Sequence, residues 1–134
     1  MEVKKSILSA AELIAEILSE DEAVMEHVKM FYPIMAPENA VCPYVVYRLA
    51  KLHVMNDRKG HADKGEIEVM CCGSNVAQMI EASEAVRMAL DGIQSVSGDG
   101  SLRMRYCYLA GVTDGWADGT FVRTLTFVAG INEN

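Results

Sequence analysis

Between Glu66 and Cys72 the side chains of Ile67, Val69 and Cys71 alternate with Glu66 and Glu68. A period of two turns one face of a strand to a core and the other to water or a partner. Gly73 ends this strand, and Ser74 offers a hydroxyl to the free amides of a first helical turn. Val76, Met79, Ile80, Ser83, Val86 and Leu90 then recur at helical spacing, with Gln78, Glu81, Glu84, Arg87 and Asp91 on the polar side and Gly92 as the stop. The pattern predicts a strand running straight into a helix that lies back across the sheet. Ile67, Val69, Val86 and Leu90 are its expected core anchors.

The same reading places a helix over about Lys4 to Ser19, with Ile7, Leu8, Ala11, Ile14, Ile17 and Leu18 inward. Asp21 caps a short second helix in DEAVMEHVK that turns Ala23, Val24 and Val28 inward. In MFYPIMAP the prolines Pro33 and Pro37 confine any strand to a sheet edge, whereas YVVYRLAKLHV is rich enough in β-branched and aromatic residues for a principal strand. The polar segment MNDRKGHADKG, from Met55 to Gly65, reads as a hairpin loop or a protruding arm. After a flexible SVSGDGS comes LRMRYCYLAGV, with Leu102, Met104, Tyr106 and Tyr108 on one face and Arg103 and Arg105 on the other. TDGWADG reads as a further connection holding the single tryptophan, Trp116, and TFVRTLTFVAGI closes the chain as a last strand with Leu125 and Phe127 facing the helices. The fold class is therefore α+β: one domain over 1–134 with a mainly antiparallel sheet of four to five strands and two main helices packed on one face. The other face mixes Glu66, Glu68, Arg103, Arg105, Thr124 and Thr126 with Met70 and Val122, which suits a solvated surface, a channel wall or a subunit contact.

Composition narrows the chemistry. A chain of 134 residues that is 51% hydrophobic has enough apolar side chains for a genuine core. No apolar run reaches the roughly 18 residues of a membrane span. The amino-terminal apolar stretch is interrupted by Glu12 and Glu16, so it reads as an amphipathic helix and not as a signal peptide. A formal charge of −7 disfavours a surface that grips nucleic-acid phosphates. Cys42, Cys71, Cys72 and Cys107 lack CxxC spacing, and neighbouring Cys71 and Cys72 point to opposite faces of a strand, so they read as free thiols of a protein folded in the cytosol. The histidines His27, His53 and His61 belong to no metal motif. No catalytic, cofactor-binding or metal-ligating set is predicted. Cys107 or Cys72 with His53 could be drawn as a nucleophile and base, but no accompanying motif supports such an enzyme.

FYP at Phe31 to Pro33, CPYVVYRL at Cys42 to Leu49, EIEVMC at Glu66 to Cys71, EAVRMALDG at Glu84 to Gly92 and FVRTLTF at Phe121 to Phe127 occur in an order and spacing similar to the tail-completion proteins of long-tailed phages and prophages. That family includes tail terminators and tail-to-head joining proteins. The resemblance covers nearly the whole chain, and its motifs fall on core and strand positions such as Tyr44, Val46, Val86 and Leu90. It implies a structural protein, not an enzyme, without a cofactor. Such a subunit assembles with copies of itself into a ring, typically a hexamer, at the head-proximal end of the tail tube. Its further partners would be the tail-tube protein and the head connector. DNA would pass through without specific binding, no membrane is involved, and the protein would move from cytoplasm to virion during assembly.

A closed ring needs two different patches on each subunit. The arm from Met55 to Gly65, which carries Met55, Arg58, Lys59 and Lys64, and the segment 111–119 around Trp116 are the candidate interface elements, because both interrupt strands with charge, glycine and an occasional large apolar residue. The other function class left open is a small-molecule or peptide-binding module that uses a sheet edge or a groove between helices and sheet.

Overall fold

Capping side chains open the amino-terminal helices. The Ser6 hydroxyl accepts from the Leu8 amide and starts a 3-10 turn at Ile7–Ser9, which runs into helix α1 (Ala10–Glu20). The computed structural model describes residues 6–54 and 63–133. In α1 Ala10, Leu13, Ile14 and Leu18 are buried, but Leu8 is 74% exposed. A 3-10 turn has about three residues per turn, so it breaks the helical phase on which Leu8 was expected to point inward. The Asp21 carboxylate accepts from the Val24 amide at 3.0 Å and opens α2 (Glu22–His27), where Val24 and Val28 are buried and Ala23 is exposed.

Among the described residues the sheet has six strands, in the order β1-β2-β3-β6-β5-β4. These are β1 (Met30–Pro33), β2 (Tyr44–His53), β3 (Asp63–Gly73), β4 (Ser95–Val96), β5 (Leu102–Ala117) and β6 (Thr120–Glu133). It is larger than the expected four to five strands and mixed, because β1 lies parallel to β2 while the other four pairings are antiparallel. The additional strand is β4, formed in the stretch read as flexible, where Ser95 and Val96 pair with Met104 and Arg103. The Asp99 carboxylate accepts from the Ser101 amide and from the hydroxyls of Ser97 and Ser101, which folds that stretch into a tight turn. Strand β3 starts earlier than expected, since Asp63, Lys64 and Gly65 already pair with β6. Lys64 therefore belongs to a strand. Met55, Arg58 and Lys59 lie outside the described residues.

Helix α3 (Val76–Leu90) follows β3 as the sequence pattern predicts, with its cap one residue later. The Asn75 side chain accepts from the Gln78 amide at 2.8 Å, and the Gln78 carboxamide oxygen reaches back to the Ser74 amide and hydroxyl. This reciprocal arrangement satisfies donors at both sides of the helix start. The buried face carries Met79, Ala82, Ser83, Ala85, Val86, Ala89 and Leu90. Val76 and Ile80 are exposed, contrary to the expected stripe, because three alanines take the close approach to the sheet. Ile67, Val69, Val86 and Leu90 are each fully buried, in one core with Leu13, Ile14, Leu18, Val45, Met104, Phe127 and Ile131. All three helices contribute to it, so they cover one face of the sheet.

Two bulges set the side-chain phase of β5. Register shifts fall between Met104 and Tyr106 and between Leu109 and Gly111. Each shifts the alternation by one position. Leu102 and Met104 face the core, but after the first bulge Cys107 and Leu109 take over that role. Tyr106 and Tyr108 are turned to the opposite face, stacked at 6.0 Å between centroids, with the Tyr106 ring over Gly130. The expectation that these tyrosines share a face with Leu102 and Met104 is corrected accordingly.

Candidate assembly surfaces

The hairpin of β5 and β6 forms the first surface. The segment read as a connection, TDGWADG, is strand for most of its length, and the chain reverses only at Asp118 and Gly119, with φ of 50° and 79°. Two consecutive left-handed residues make the two-residue turn whose twist suits a hairpin, and Asp-Gly is a favoured pair for it. Beyond the second bulge Val112, Asp114 and Trp116 pair with Leu125, Arg123 and Phe121 and so share the face on which the helices lie. Helix α3 crosses from the end of β3 towards Cys107 and Leu109, where the Gly92 amide donates to the Cys107 carbonyl and the Leu109 amide donates to the Asp91 carboxylate. Past that point β5 is uncovered: Val112 is 48% and Trp116 63% exposed.

A bidentate ion pair holds this end together. Arg123 Nε and Nη2 donate to the Asp114 carboxylate oxygens at 2.8 and 3.0 Å, and Nη1 donates to the Ser83 hydroxyl on α3 at 3.4 Å. The Arg123 hydrogen bonds hold the Asp114 carboxyl below its ordinary value.

The second surface lies at the other side of the sheet. Leu8, Ser9, Ala11 and Glu12 face Pro33, Ile34, Tyr47, Arg48 and Leu49 across a groove of about 490 Å³. Ile34 has φ of 68°, a conformation costly for a β-branched residue, and its amide donates to the Tyr47 carbonyl at 2.8 Å. Its side chain is 74% exposed, as is that of Leu8. Strand β1 covers β2 only from Tyr44 to Tyr47, so among the described residues the β2 segment 48–53 pairs on one side alone.

Of the sequence-predicted interface residues, the structure describes Lys64 and Trp116, both exposed. It does not bring them together. Lys64 and Gly73 mark the two ends of β3, nine positions or about 30 Å apart at the usual strand rise, and Trp116 lies at the Gly73 end through Phe121. Sequence reasoning missed the groove, because Leu8 was assigned to the core and Ile34 carries no local signal of positive φ. The hairpin could have been found from Asp118-Gly119.

The cysteine and histidine pairs drawn from the sequence are not assembled. His53 pairs with Lys64, eight positions along β3 from Cys72, or roughly 27 Å. Cys107 lies three strands from β2, about 14 Å, in the core, while His53 Nε2 stands 3.6 Å from Glu66 Oε2 on the opposite face. Burial pushes the thiols of Cys71, Cys72 and Cys107 up to about 12, 11 and 12. They stay protonated and poorly nucleophilic at neutral pH. Their contribution to stability is complete below the usual thiol value of 9.0 and is lost as pH rises towards 12, since the unfolded chain ionises first. A thiol reagent is expected to label Cys71 only as fast as the protein unfolds, with faster labelling and lower stability above about pH 9. Rapid labelling at pH 7 with the fold intact would contradict this burial.

Among the described residues no cluster of three or more histidine, cysteine, aspartate or glutamate side chains is placed to hold a metal, and no helix is long and apolar enough to cross a membrane. What the chain offers is a six-stranded mixed sheet, covered on one face by helices, with an uncovered strand at one side and an apolar groove at the other. Neither a family model nor a curated protein sequence matches it. A solved structure with this fold is a chain from the "Virion of native gene transfer agent (GTA) particle", at a TM-score of 0.75 and 16% identity, with 95% of this chain and 98% of that chain covered. At that identity the likeness establishes the shared fold.

Proposed function

We propose that the protein is a structural subunit of a phage-like virion, of the tail-completion type, which caps the head-proximal end of the tail tube as a homo-oligomeric ring. The observation that carries this reading is the agreement in fold, over nearly the full length of both chains, with a chain of a gene transfer agent virion. It coincides with the family resemblance of the PYVVY and AVRMALDG segments, which occupy the start of β2 and the end of α3. The net charge of −7 suits a ring through which DNA passes without being held.

In this reading the partners are further copies of the chain, the tail-tube protein and the head connector. The chain needs no cofactor and performs no catalysis. Removing the gene from the virus or prophage that carries it should yield tail tubes of unregulated length and heads that fail to join them. Virions of normal tail length from the deletion strain would contradict the proposal.

A further inference from the structure

We infer that copies of this chain join edge to edge, the β5 segment 111–117 of one continuing the sheet beside the β2 segment 48–53 of the next, with Trp116 seated in the groove between α1 and β2. The inference rests on the ring reading above and names its two contact surfaces. Three observations select a second copy as the occupant.

The first is the pair of open strand edges. Beyond Leu109 the edge of β5 is met by neither β4 nor the turn after α3, and β2 beyond Tyr47 has no strand on its β1 side, both among the described residues. Such edges present backbone donors and acceptors that a further strand can satisfy. The second is shape. Trp116 projects on the helix-covered side of β5, and the groove opens on the helix-covered side of β2, so extending the sheet brings the exposed indole to the exposed Leu8 and Ile34.

Charge is the third. Within residues 110–119 Asp114 is held by Arg123, and among the described residues Asp118 keeps its charge without an ion pair. Within residues 48–54 Arg48 is held by Glu68 and His53 lies beside Glu66, and among the described residues Lys51 keeps its charge without an ion pair. The asymmetry stands out in a chain with 12 lysines and arginines against 19 acidic residues. Pairing β5 with its own counterpart would bring two copies of Asp118 together, and pairing β2 with β2 would bring two copies of Lys51 together. Only β5 against β2 joins opposite signs, which favours one register and disfavours the two symmetric pairings. Because the two edges lie at opposite sides of one sheet, the contact is head to tail, and repeating it around a closing rotation gives a ring.

The test uses two variants with complementary defects, both at exposed positions. Trp116→Ala keeps the groove and loses the projection, and Ile34→Asp keeps the projection and places a charge in the groove. Sedimentation equilibrium should show each alone with self-association weakened at least about 30-fold, as expected for loss of a central aromatic contact. Thermal unfolding of Trp116→Ala should match the wild type, and that of Ile34→Asp should be no lower, since aspartate tolerates the left-handed backbone at 34 better than isoleucine. Mixed in equal amounts, they should form a dimer and nothing larger, because each pair retains one intact contact. Variants that associate like the wild type would place the contact elsewhere and leave the ring reading standing. A wild-type chain that stays monomeric up to about millimolar concentration would overturn the contact and the ring together.

Discussion

Replacing Phe127 by alanine is expected to lower the unfolding free energy by about 3–5 kcal/mol, the range for truncating a buried phenyl ring. Phe127 is the largest fully buried side chain of the core. It stands on β6 with Ile67 across on β3 and Leu109 across on β5, in the middle of the sheet, so its loss leaves a cavity that neither neighbouring strand can close without breaking its own ladder. Denaturant titration of the two proteins measures the difference. A loss under about 1 kcal/mol would mean that the core collapses around the gap and that the sheet is more deformable than its packing implies.

Gly73→Ala is the second large effect, expected at about 1–3 kcal/mol or somewhat more. A Cβ at this position would fall 2.6 Å from the Met79 amide nitrogen, 2.9 Å from the Asn75 carbonyl oxygen and 2.9 Å from Gln78 Cβ. Two of these atoms are backbone in the first turn of α3 and cannot rotate away, so the helix must shift as a unit and loosen its alanine-lined contact with the sheet. Gly115 provides the control, because nothing lies within 4 Å of a Cβ built there. Its replacement by alanine should change stability by less than about half a kcal/mol. Equal effects at the two positions would show that the strand-to-helix junction is not the tight point.

These two sites also show what the sequence could and could not reveal. The junction of β3 and α3 was legible because strand alternation and helical spacing follow one another with a glycine between, and Ile67, Val69, Val86 and Leu90 all lie where those periods put them. The cap moved from Ser74 to Asn75 because both residue types accept from free amides, and only the position of the Gln78 side chain decides between them. In β5 simple alternation failed, since a bulge adds a residue without any sequence mark and reverses every face that follows. The tyrosines at 106 and 108 were consequently out of phase with the reading, and the second bulge returns Val112 and Trp116 to the face of Leu102 and Met104. The two-residue strand β4 and the parallel pairing of β1 with β2 depend on tertiary contacts that no local pattern carries. For the candidate surfaces, the exposed tryptophan was visible in the sequence, but the groove required Leu8 to leave the helical phase and Ile34 to adopt a left-handed backbone.

The proposed virion role requires the chain to act at the end of a tail, and tail length reports on that directly. Electron micrographs of particles from a strain lacking the gene should show a broad distribution of tube lengths, with filled heads unattached, and supplying the gene in trans should restore one length and joined particles. Tails of uniform normal length attached to heads in the absence of the gene would contradict the account.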